Sequence, residues 1–170
     1  GTTWRLSETD YFMTPTTAHA GPVMVFLEEL LQTRWQHMRV TLTSVSEQWA
    51  GSAVAGPRSR DVLSACVEDS SVMNEENFPF MGVRETTLKG GIPVRIARIS
   101  FSGEMAYEAY TPSDYGPAMM DLLWEEAQKH DGCLYGLEAL GALRIEKGHV
   151  TGAELDGRVS IDDAGLGKMA

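Results

Sequence analysis

The chain has 170 residues, 43% hydrophobic and 22% charged, with 24 Asp and Glu against 14 Lys and Arg for a net charge of -10. That length suits one domain or two small subdomains sharing a core. The acidic balance argues against nucleic-acid and anionic-membrane partners, both of which call for a basic face, and no apolar run approaches the roughly 20 residues of a membrane span.

In chain order, Thr2–Leu6 and Tyr11–Thr14 flank the polar Ser7-Glu8-Thr9-Asp10 and read as a hairpin. Val23, Phe26, Leu27, Leu30 and Leu31 recur at helical spacing, an amphipathic stripe. Arg39–Ser46 alternates and is β-branched, which predicts a strand, and Trp49–Val54 predicts another, ended by Gly56-Pro57. A helix follows to about Cys66, with Pro57 in its first turn. The polar stretch Glu68–Asn77 reads as a loop, and Pro79-Phe80-Met81 as an apolar clip before a strand over Val83–Leu88. Lys89-Gly90-Gly91 turns the chain into a strand over Ile92–Ser100, and Glu104–Thr111 is the next. Pro112-Ser113-Asp114 offers helix-capping chemistry, and Tyr115, Met119, Leu122 and Leu123 mark the buried stripe of a helix to Lys129. A last helix spans about Leu137–Lys147 and ends at Gly148, and an extended Gly-rich tail follows from Thr151. Helices mixed with hairpins predict an α+β fold with mainly antiparallel sheets.

Little of the chain carries obvious chemistry. The nucleotide-binding Gly-rich fingerprints are absent. His19, His37, His130 and His149 have no ligand spacing, so no metal is expected. Cys66 and Cys133 form no Cys-x-x-Cys pair and read as reduced thiols of a cytoplasmic protein. The first residues read as a strand and not as a signal peptide, so a piece of something longer is expected. Arg144 falls on the apolar side of the last helix. A guanidinium there needs a partner: an ion pair tying the helix to a strand, or a ligand carboxylate.

The sharpest residue is Glu108, between Tyr107 and Tyr110 on a strand where Glu108 shares a face with Ala106 and Tyr110. It reads either as a solvated strand carboxylate or as an acceptor for two parallel N–H groups of a flat 2-amino-4-oxo heterocycle.

Several segments together carry a resemblance: Ala55-Gly56-Pro57, Pro79-Phe80-Met81, the run from Phe101 to Glu108, Tyr135-Gly136 with Leu143–Gly148, and Asp162–Gly167. In this order they resemble the folate-binding aminomethyltransferases, the T-protein of glycine cleavage, and within that family the folate-binding region of sarcosine oxidase alpha subunits. Gln48-Trp49-Ala50 and Ala127–His130 point to the oxidase branch. The resemblance implies ferredoxin-like halves around a folate pocket, here truncated. It divides the chain into residues 1–46, the end of the first half; 47–148, the second half with the pterin-side Glu; and 149–170, a tail towards a further domain. It implies that Glu108 binds the pterin of tetrahydrofolate with Phe101, Tyr107 and Tyr110 nearby.

Phe101 stands where the family motif has Tyr, and Leu140 where it has a ligand-contacting Arg, so Arg144 is left as a structural ion pair. By the same resemblance Gly1 falls just after the family's catalytic Asp, so no catalytic residue is assigned to this chain, and the piece alone is expected to be inactive. The implied function is to position tetrahydrofolate to accept the one-carbon unit from sarcosine, giving 5,10-methylenetetrahydrofolate. FAD, FMN and NAD would belong to other parts of a hetero-oligomeric parent with a flavin-bearing beta subunit. The alternatives are an aminomethyltransferase or demethylase of the same fold, and a non-catalytic interaction module that has lost the ligand.

Overall fold

The computed structural model describes residues 1–169. The chain forms two compact units, Gly1–Trp49 and the chain from Ala50 onward.

The first unit holds a hairpin of β1 (Thr2–Arg5) and β2 (Tyr11–Thr14), antiparallel with Trp4 opposite Phe12. Their rings lie 5.3 Å apart, and Phe12 meets Trp49 edge-on at 5.4 Å. The helix α1 (Ala20–Thr33) follows and buries no residue fully. Val23, Leu27, Leu30 and Leu31 are half-buried, whereas Val25 and Phe26 are exposed. The strand expected over Arg39–Ser46 does not form. This segment is irregular, with a 3-10 turn at Ser46–Gln48. Alternating β-branched residues favour a strand only when a neighbour completes the ladder, and none of the described strands pairs with this segment.

The second unit is built on a four-stranded sheet ordered β3-β6-β5-β4, where β3 is Trp49–Ala55, β4 Val83–Leu88, β5 Ile92–Ala97 and β6 Ala106–Pro112. The pairs β4–β5 and β5–β6 are antiparallel. The β4–β5 turn is made by Gly90 and Gly91, at φ of +84° and +76°, a region L side chains avoid. At the β3–β6 edge Gly56 N–H donates to the Met105 carbonyl at 2.8 Å, while Gly51 lies against Tyr110, so these strands also run in opposite directions.

Two helices cover one face. The helix α2 (Ser59–Cys66) buries Val62, Leu63 and Cys66, the i, i+1, i+4 spacing of one helical stripe. The helix α3 (Gly116–Gln128) buries Met119 and Leu123. Between them and the sheet lie Leu88, Val94, Ile96, Phe78 and Tyr107, all nearly or fully inaccessible. Arg60 and Arg98 each bind Glu75, at 3.0 and 2.9 Å, and fix the loop that delivers Phe78 to this core. α3 is entered through a 3-10 turn at Ser113–Tyr115, with no side-chain cap from the Ser113-Asp114 pair.

Both strands flanking the Phe101–Met105 turn are shorter than the sequence predicts, because side chains there bond the nearby backbone. Ser100 Oγ accepts from Gly103 N–H at 2.9 Å and Ser102 Oγ from Glu104 N–H at 3.4 Å. The helix α4 (Leu137–Glu146) buries no residue fully. The tail beyond Thr151 is a run of turns and not extended chain. Short-range bonds, such as Ser160 Oγ to Asp163 at 2.6 Å, curl it locally. The architecture is α+β with antiparallel strands, and none of the described helices is long and apolar enough to cross a membrane.

Candidate functional site

Strand alternation gives β6 two different faces. Tyr107, Ala109 and Thr111 point into the helix-covered core, all at 0% exposure. Ala106, Glu108 and Tyr110 share the other face, where Ala97 is opposite Glu108 and Arg95 opposite Tyr110. The Tyr110 hydroxyl donates to Glu108 Oε2 at 3.0 Å. Arg95 is held by Glu85 at 2.7 Å. Burial pushes the Glu108 carboxyl above the ordinary carboxylate range, and the Tyr110 hydrogen bond partly opposes that rise.

A cavity of about 160 Å³ opens beside Glu108. Ala53 and Ala55 of β3 and Ala106 of β6 form part of its wall, and their short side chains leave the room. Ile99, Phe101 and Leu140 add apolar surface. Glu108, Ser102 and Tyr135 supply side-chain polar groups, and among the described residues no Lys or Arg lines the cavity. Burial raises the Tyr135 phenol pKa, and the Glu108 charge raises it further. A carboxylate acceptor in a small, mainly apolar slot suits the N–H edge of a flat heterocycle. Ligand pockets commonly run from about 300 Å³ upward, so this cavity takes only one end of a larger molecule.

Of the residues expected from sequence, Glu108 and Phe101 line this cavity, and Tyr110 reaches it through Glu108. Phe101 is 47% exposed and meets the His149 ring at 6.1 Å. Tyr107 borders the cavity, but its ring is packed in the core, edge-on to Phe78 at 5.5 Å. No described group completes a hydrogen bond to its buried hydroxyl; the Arg60 guanidinium lies over the ring instead, at 5.9 Å. Arg144 binds Glu154 at 2.8 Å, so its partner is in the tail and not on a strand. Sequence reasoning gave no role to Tyr135 or Ser102. Tyr135 lies in a segment that entered only as part of the resemblance, and nothing local marks it as a neighbour of Glu108.

A larger hollow of about 600 Å³ lies wholly within the tail, between Gly148 and Ala164. Its central carboxylate, Glu154, is already bonded to Arg144 and the Thr151 N–H, both at 2.8 Å, which leaves little free chemistry there. Among the described residues no group of three or more His, Cys, Asp or Glu could hold a metal ion.

Residues 1–170 match the family described as GCVT N-terminal domain. The chain belongs to that family. This GCVT N-terminal domain chain is 45% identical over 170 residues to a sarcosine oxidase subunit alpha of Rhizobium meliloti (strain 1021), which covers 99% of this chain. It is also 45% identical over 167 residues, 98% of its length, to the corresponding subunit of Corynebacterium sp. (strain P-1). The chain spans 17% of the length of each of these relatives. An aminomethyltransferase of Oceanobacillus iheyensis is 25% identical over 96% of this GCVT chain, which spans 43% of that protein.

Proposed function

We propose that this chain is part of the tetrahydrofolate-binding domain of a sarcosine-oxidase-like enzyme of the cytoplasm. It would hold tetrahydrofolate where that molecule can accept the one-carbon unit released by oxidative demethylation of sarcosine. The observation that carries the reading is a partly buried carboxylate, Glu108, facing a small, mainly apolar cavity. An ionised Glu108 accepts N–H groups from the pterin edge. Phe101, Leu140 and Ile99 exclude water around it, which strengthens those bonds. Tyr107 supports the strand from the core side, and Arg144 ties α4 to the tail.

The domain contributes capture and orientation, which raise the effective concentration of the acceptor. Folate, when bound, supplies the nucleophilic nitrogen; the chain's own residues supply none of the bond-making groups. FAD, FMN and NAD would belong to other regions and subunits of the parent, including a flavin-bearing beta subunit.

Isothermal titration tests the reading. The 170-residue chain is expected to give no turnover and to bind tetrahydrofolate weakly. In the full-length parent, Glu108→Gln should weaken tetrahydrofolate about tenfold or more, the worth of a charge-assisted hydrogen bond. Unchanged affinity there would overturn the reading.

A further inference from the structure

Two oxygens of one carboxylate accept two parallel N–H groups only if the carboxylate plane is fixed. The terminal torsion of a Glu side chain is broad, so something besides the rotamer must set the Glu108 carboxylate plane. One group on the same face does so by direct contact: Tyr110, two residues along β6, whose hydroxyl donates to Oε2 at 3.0 Å. For that hydroxyl to come back along the strand, the Tyr110 ring must lie down against the sheet instead of standing off it.

The neighbouring strand β3 makes room at one position. A Cβ built on Gly51 would stand 2.7 Å from Tyr110 Cε1, 3.0 Å from Cδ1 and 3.2 Å from Cζ. Any side chain at residue 51 therefore displaces the ring. Gly51 has no positive φ, so no backbone requirement explains a glycine within a strand. The close approach of the ring does.

We propose that Gly51 and Tyr110 form a positioning relay for Glu108. Gly51 lets the Tyr110 ring lie over β3, and the hydroxyl then holds Oε2 and leaves Oε1, with the second lone pair of Oε2, for the ligand. Tyr110 is thus a positioning residue and not a ligand contact in its own right. Among the described residues of the second unit, the other polar side chains at this patch are Tyr135 and Ser102, which line the cavity, and Arg95, opposite Tyr110 and bound to Glu85. The relay refines the folate reading, on which its functional meaning rests, but its geometry can be read without ligand.

Carbon-13 NMR of glutamate-labelled 170-residue chain follows the Glu108 carboxyl titration directly. Tyr110→Phe keeps the ring and removes the donor to the ionised form, so the Glu108 midpoint should move up. Gly51→Ala should move it the same way while the amide spectrum stays folded. Tetrahydrofolate affinity of the full-length parent should fall about tenfold in each variant, with the loss greatest on the acid side of the binding profile. A midpoint unmoved by Tyr110→Phe overturns the relay. A shift in Tyr110→Phe without one in Gly51→Ala overturns the role of Gly51. Shifted midpoints in both variants, with tetrahydrofolate affinity in the parent unaffected, support the relay and overturn the folate reading.

Discussion

The two faces of β6 are made by alternate residues of one heptapeptide, and they serve opposite ends. Tyr107, Ala109 and Thr111 are sealed under α2 and α3 among Leu63, Phe78 and Met119. Ala106, Glu108 and Tyr110 face small residues of β3, a cavity and a carboxylate kept partly out of water. The first face is filled to its limit. The second is under-filled on purpose, in the sense that Gly51, Ala53 and Ala55 occupy positions where larger β-formers would stabilise a strand. The packed core and the cavity are thus separated by a single residue step, and a one-residue slip of register would exchange the two faces.

Substitutions on the two faces should therefore differ in kind. The largest effect is expected from Phe78→Ala, which empties the centre of the packed face. Chemical denaturation should report a loss of about 3–5 kcal/mol, and a much smaller value would mean the core collapses into the gap. Thr111→Val removes a buried donor to the Pro93 carbonyl, a 2.7 Å bond, without changing volume. It should cost about 1–2 kcal/mol by the same measurement.

On the other face, Glu108→Gln should reverse the sign. The folded pKa of Glu108 is raised, so between the ordinary carboxylate value and the folded one the native state binds more protons than the unfolded chain. Its stability contribution is greatest at low pH and is lost as pH rises through that window. Urea midpoints from about pH 4 to about pH 7 should show the variant gaining on the parent as pH rises. A constant difference would place Glu108 in solvent. The smallest effect is expected from Tyr107→Phe. Its hydroxyl has no described partner, so melting should show no loss. A loss above about 1 kcal/mol would mean that Arg60 reaches the hydroxyl after all.

The sequence pattern made the packed face readable. The apolar spacing of α3, the Gly90-Gly91 turn between β4 and β5 and the alternation around Glu108 in β6 each follow from local rules, and the elements formed within a few residues of where those rules put them. It misled at Arg39–Ser46, where the strand pattern is present but the pairing partner is not a local property. At the candidate site, Glu108 stood out because a carboxylate among aromatics on a strand is chemically unusual. Tyr135 and Ser102 did not, because their proximity to Glu108 is created by the path of the chain after α3 and by a turn. Gly51 was invisible for a different reason: an absent side chain matters only once the ring that needs its space is in place.

One feature of the cavity wall has a mechanical meaning. Leu140 sits on α4, a helix with Leu137 at 86% exposure and no buried residue. What fastens its far end to the Phe101–Met105 turn is short. The Lys147 Cβ occupies the space a side chain at Gly103 would take, the Lys147 ammonium meets Glu104 at 2.5 Å, and His149 meets Phe101. Half-exposed ion pairs weaken as salt is added. The helix that carries Leu140 to the cavity wall is thus held at its far end in part by a half-exposed ion pair, a contact that added salt weakens.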